Sequence, residues 1–244
     1  MKNTENTTNT TNSVNSDNAE GVREDDNARG IRKIKSIKDI FGKLNMSFLV
    51  VIIFAVIAGI YTGIVAQLPI FNNTSFQDIA ITYEVWVFFA VIIVTNCRKN
   101  WEAMLKCFIF FLISQPLCFF TEIVIWHMEL SKALYYIRLW MVPIALTLPG
   151  GFIAYYCKKQ NIIGAIILGL GNAIVGIMGL TYILYQFKQF PRHILSAIFS
   201  LAVIIIMTLG IQEKKWMRVI AFAIPLVISV GYYTYAFATG NAVW

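Results

Sequence analysis

Charge is what this chain has least of. Charged residues make up 14% of its 244 positions, where a soluble domain carries about 25%. Hydrophobic residues reach 58% and mean hydropathy is +0.66. One small water-soluble core cannot hide that much apolar surface. Histidine is almost missing: His127 and His193 are the only two, and they form neither HxxxH nor HExxH. A catalytic zinc usually takes three protein ligands and an open position, so no zinc site is expected. The four cysteines (Cys97, Cys107, Cys118, Cys157) show no CxxC and no framework spacing, which argues against a disulfide scaffold or a dithiol redox motif. Cys97, Cys107 and Cys157 fall at expected helix ends and are candidates for S-acylation. No GxxxxGK[ST] or GxGxxG marks a phosphate cradle. No lysine falls in 217–238 to form a Schiff base in the last apolar run. No cofactor and no enzymatic signature is expected. The net charge of +7 flanks apolar segments instead of covering one polar face, so nucleic acid is not an expected partner.

What the chain does have is apolar runs. Seven of them, at about 47–66, 79–96, 107–126, 136–156, 162–186, 194–211 and 217–238, are each near the length that crosses a hydrocarbon core. Lipid offers the backbone no hydrogen-bond partner, so each must be a helix. The fold expected is an all-α integral membrane bundle of about seven transmembrane helices over 46–238. A re-entrant pair between 107 and 156 is the alternative to two full crossings.

The basic residues set an orientation. Leaving aside Lys2 and Arg23 in the distal tail, fourteen of the twenty Lys and Arg lie just before the first run or at every second boundary between runs: Arg29 to Lys43, Arg98, Lys99, Lys106, Lys158, Lys159, Lys214, Lys215 and Arg218. Lys132, Lys188 and Arg192 lie in the other gaps, and Arg138 lies near the outer start of the fourth run. The positive-inside rule then places the N-terminus in the cytoplasm and the C-terminus, with a short 239–244 tail, outside. A multi-pass protein of a cell membrane, such as the bacterial cytoplasmic membrane, is expected.

Residues 1–30 are rich in Asn, Thr, Asp and Glu; such a segment cannot bury enough surface to order itself, and a disordered cytoplasmic tail is expected. Residues 31–45 turn basic and amphipathic. Ile31, Ile34, Ile37, Ile40, Phe41 and Leu44 share one helical half, with Arg32, Lys35, Asp39 and Lys43 opposite, Lys38 at the border and Lys33 out of place. This predicts an interfacial helix whose cations meet anionic lipid.

Small residues predict packing seams. Ala55, Gly59 and Gly63 recur at four-residue spacing in the first run; Ala165, Gly169, Asn172, Ala173, Gly176 and Gly179 share a face of the fifth. Such faces let backbones approach closely, within the chain or against a homo-oligomeric or other membrane partner. Pro116, Pro143, Pro149 and Pro225 sit inside runs, and Pro149-Gly150-Gly151 predicts the sharpest break, in the fourth.

Ionisable groups inside a span are costly and mark functional candidates. Glu84 and Glu122 lie roughly 6–8 Å below the outer end of the second and third runs. With Arg138 and His193 near the same end, and Gln115 and Asn172 deeper, they predict one outward-facing vestibule in which Arg138 pairs with a carboxylate. The function expected is a small-solute or ion transporter-like protein or permease subunit. A non-enzymatic membrane partner (immunity, sensor or assembly factor) is the alternative, and an outer-leaflet enzyme is third.

Overall fold

A computed structural model describes residues 37–186 and 193–239. Among these residues every regular element is helical. They form α1 (Ile37–Ile40), α2 (Phe48–Val65), α3 (Ser75–Ile81), α4 (Tyr83–Thr95), α5 (Asn100–Trp126), α6 (Leu130–Ala154), α7 (Ile162–Gln186), α8 (Ile194–Ile211) and α9 (Lys215–Ala238). Six of them are long and apolar enough to cross a membrane, and the bent pair α3–α4 would make a seventh. The outward surface fits that reading. Leu146, Leu226, Val227 and Tyr235 are each more than 60% exposed, and in α6 only Ala133, Ile144 and Gly151 are buried. Soluble monomers rarely expose contiguous apolar patches beyond a few hundred Å², so this surface is compatible with a multi-pass membrane protein.

The packing divides the helices into two triplets joined by α6. In each triplet the first helix lies chiefly along the third: α2 along α5, and α7 along α9. Small residues make both approaches possible. A Cβ added at Gly59 would stand 2.6 Å from the Ser114 carbonyl oxygen, and one at Gly63 would stand 2.5 Å from that of Cys118. On the other side, Gly169 abuts Ile224 and Gly176 abuts Ser229 and Pro225. The partner helix carries a proline in each case, Pro116 in α5 and Pro225 in α9. The small face of α7 also reaches α8, where Gly179 meets Ser200 and the Asn172 amide donates to Thr208 Oγ1 at 3.0 Å. Removing that acceptor with Thr208→Val, a near-isosteric change, is expected to lower stability by about 1 kcal/mol. Thermal denaturation in detergent would measure it.

The break falls in the second span, not the fourth. α6 runs unbroken through Pro143 and Pro149. Gly151 serves close packing there: a Cβ would come within 3.1 Å of the α5 backbone at Met104. The second span bends by 42° at Thr82. Thr82 holds an extended backbone (φ −87°, ψ 165°), and its hydroxyl donates to the Asp78 carbonyl at 2.6 Å, closing α3 just where α4 begins.

The basic gaps converge on one end of the bundle. Asn96 clamps the lead-in, accepting from Leu44 N at 2.8 Å and donating to the Ile40 carbonyl at 2.7 Å. Buried Lys106 donates to the Met46 carbonyl and pairs with Glu102. Tyr155 donates to the Arg98 carbonyl at 2.6 Å, and Gln212 to that of Cys157 at 2.8 Å. The expected interfacial helix is shorter than 31–45. Arg32 and Lys35 lie outside the described residues, and the helix ends at Ile40 before Gly42, whose φ of +157° suits glycine. Phe41 turns inward instead, against Phe88 and over Gly210. Lys38 meets Glu213 at 3.4 Å and Lys43 meets Asp39 at 2.6 Å.

All four cysteines are buried, so S-acylation has no exposed thiol to act on. Burial also pushes the Cys97 thiol up to about 11. Its thiolate fraction at pH 8 is then about a hundredfold below that of an ordinary thiol. Native-state alkylation of Cys97 should be slow at pH 8 and accelerate steeply toward pH 11; peptide mass spectrometry after timed maleimide quenching would follow it.

Candidate binding site

The expected single vestibule is two sites, on opposite sides of the broken span. The first is a cavity of about 340 Å³ between α2, α3, α5 and α6. Gln67, Gln77, Gln115, Cys118, Glu122 and Lys132 supply its polar wall, and Trp86 and Trp140 its apolar one. Glu122 is nearly buried. It accepts from Gln67 Nε2 at 3.2 Å and from Cys118 Sγ at 3.8 Å. Gln77 is committed to the loop, donating to the Ala66 carbonyl at 2.6 Å and accepting from Asn73 N at 2.9 Å. Gln115 is 3% exposed, and its Nε2 has no hydrogen-bond partner. Pro116 follows it within α5.

The second site lies in the seam between the triplets, where α3 and α4 face α7 and α8. Asp78 Oδ2 takes two hydrogen bonds, from His193 Nδ1 at 2.5 Å and Ser196 Oγ at 2.7 Å. One turn further along α8, Ser200 Oγ donates to Glu84 Oε1 at 3.0 Å. Glu84 is 1% exposed and its Oε2 has no hydrogen-bond partner within ordinary geometry. The Tyr182 ring stacks on that of His193. Glu84 stands in the first turn of α4, where the helix dipole favours a negative charge.

Of the expected residues, the structure brings Gln115 and Glu122 together in the cavity, and Glu84 and His193 together in the seam. Asn172 joins neither; it is wholly buried between α7 and α8. Arg138 is exposed and makes no ion pair among the described residues. Lys132, not Arg138, shares the cavity wall with Glu122. Asp78, Ser196, Ser200, Gln67 and Lys132 were missed in the sequence. A signal existed for the serines: His193, Ser196 and Ser200 recur at helical spacing, one polar stripe on an apolar helix.

The seam does not form a hydrolytic triad. Such a triad needs the serine on one imidazole nitrogen and the carboxylate on the other. Here Ser196 and His193 both donate to the same carboxylate oxygen, so the histidine does not activate the serine. No group of three or more His, Cys, Asp or Glu able to hold a metal occurs among the described residues. The arrangement can bind polar groups and hold or pass protons. No protein-family model, curated protein or solved structure matches the chain.

Proposed function

We propose that this chain is a seven-span protein of a cell membrane, N-terminus cytoplasmic, acting as a small-solute or ion transporter-like protein. The observation that carries this reading is the broken span. Asp78 and Glu84 lie on either side of the Thr82 break and face the seam between two helix triplets. Transporters commonly bind substrate and coupling ions between structural repeats, at helices interrupted in this way. The same broken span walls the Gln115–Glu122 cavity on its other side through Gln77, Ile81 and Trp86. It therefore separates two polar compartments, and a shift at its hinge would act on both.

The orientation follows the basic residues. The end stapled by Asn96, Lys106, Tyr155 and Gln212 is cytoplasmic; the cavity opens outward and the Asp78–His193 pair lies toward the same outer end. The basic lead-in (Arg32, Lys35, Lys38, Lys43) meets anionic lipid of the inner leaflet. A partner-protein reading draws less support, because the Gly59–Gly63 face is already filled by α5.

Flux in proteoliposomes tests the reading. A panel of amino acids, sugars, alkali cations and protons is offered to the purified chain. At least one class should move faster than in empty liposomes, and Glu122→Gln should lower that flux tenfold or more. A chain that moves none of them is not the transporter described here.

A further inference from the structure

The polar cavity shares wall residues with a second one. A second cavity of about 370 Å³ adjoins it, lined by α4, α5, α6 and Ile174 of α7, and almost wholly apolar. Trp86 and Trp140 line both. From Trp140 to Ala154 the apolar cleft follows α6 for about 21 Å at 1.5 Å per residue. That exceeds the depth of one leaflet, about half of a 30 Å hydrocarbon core. Its side is open: Leu146, Gly150 and Ile174 are exposed along it, and a Cβ at Gly150 would meet nothing within 4 Å.

We propose that the two cavities are one binding site for an acyl-chain amphiphile, its polar head between Gln115, Glu122 and Lys132 and its chain in the cleft along α6. The inference rests on reading the Gln115–Glu122 cavity as a ligand chamber, and it names the class of ligand. Three observations select the head. Gln115 lines the cavity and its Nε2 is a buried donor with no partner, so a head that brings an acceptor suits it. Glu122 is a carboxylate at the same wall, so the head also brings a donor or a cation. Lys132 at the rim balances Glu122, so a head with no net charge fits: hydroxyl-bearing or zwitterionic. The tail follows from continuity. A solute confined to the polar half would leave the adjoining cleft to a separate hydrocarbon, whereas one amphiphile fills both across Trp86 and Trp140.

Photolabelling decides. The full chain in phosphatidylcholine nanodiscs is exposed to a monoacylglycerol bearing a diazirine in its acyl chain, and the adducts are mapped by mass spectrometry. Labelling should be saturable and concentrated in 83–94 and 140–154. Excess unlabelled monoacylglycerol or lysophosphatidylethanolamine should compete it at least tenfold. Gly150→Trp, which fills the cleft from its open side, should lower it at least tenfold, with Gly150→Leu as the milder variant should the tryptophan disturb folding. Gln115→Leu should weaken competition about tenfold without moving the label. Non-saturable labelling spread over the exposed faces of α6 and α9, or labelling indifferent to both Gly150 variants, overturns the proposal. The outcome separates from that of the flux assay. Solute flux with diffuse labelling would sink this inference alone; focused, competable labelling without flux would leave the amphiphile site standing and sink transport.

Discussion

Gly63→Ala is expected to cost about 2–3 kcal/mol of stability, while Gly150→Ala costs nothing or gains up to about 1 kcal/mol. Both glycines lie in transmembrane-length helices, and sequence alone does not rank them. The difference is what surrounds them. A methyl at Gly63 would stand 2.5 Å from the Cys118 carbonyl oxygen and 2.7 Å from Thr121 Cβ. A backbone oxygen cannot swing away, so α2 must lift from α5 and lose the seam contacts on both sides. A methyl at Gly150 enters open space and adds helix propensity. Unfolding by sodium dodecyl sulfate, followed by far-ultraviolet circular dichroism, compares the pair. Equal midpoints for the two variants would mean that α2 and α5 are not in close contact.

Glu84→Leu is expected to separate folding from function. Ser200 keeps a partner when Glu84 is lost, because its one hydroxyl proton can turn to the Ser196 carbonyl, 2.9 Å away. Replacing a buried, incompletely paired carboxylate with an apolar side chain is often neutral or stabilising. The melting temperature should therefore hold or rise, while flux falls about a hundredfold, the stability–activity trade expected of a working site. Glu84→Gln, which keeps the shape and an acceptor for Ser200, should fold as well and lose flux to a smaller degree if the solute is neutral. A purely structural Glu84 predicts the opposite: Glu84→Leu destabilised, with flux per folded molecule unchanged. Measuring flux and melting on the same preparations makes the distinction.

The apolar runs made the helices legible because their length and composition depend on local sequence. Small-residue spacing likewise located Gly59, Gly63, Gly169 and Gly176 on faces that the structure packs closely. What sequence could not supply was which helix each face meets. That information is long-range, and it decides why one run of glycines is a seam while Gly150 lines a cleft. The misplaced break has a similar origin. Pro149-Gly150-Gly151 carries the stronger local signal, yet a proline can be absorbed by a helix that neighbours hold straight. The real break at Thr82 carries a quieter signal: a threonine ahead of Tyr83-Glu84, the pattern of an N-cap with an acid in the first turn. It was legible and outweighed by the surrounding apolar run. The vestibule divided for the same reason. Depth along a helix, read from the ends of the runs, placed Glu84 and Glu122 at similar levels. The direction of each side chain around its helix depends on the bend at Thr82 and on the neighbours of α5, and it sent one carboxylate into the seam and the other into the cavity. Arg138 followed depth as well and lies on the outer surface.

As a ligand chamber, the Gln115–Glu122 cavity should be reached from outside. Thiol accessibility tests it most directly. In a chain whose four native cysteines are replaced by alanine, Gln115→Cys is treated in right-side-out vesicles with an impermeant cationic methanethiosulfonate. It should react from outside at least tenfold faster than Ala103→Cys, which lies in the sealed core between α2, α4 and α5, and faster with the cationic reagent than with an anionic one because Glu122 shares its wall. No reaction from outside, or reaction only in inverted vesicles, would contradict the account.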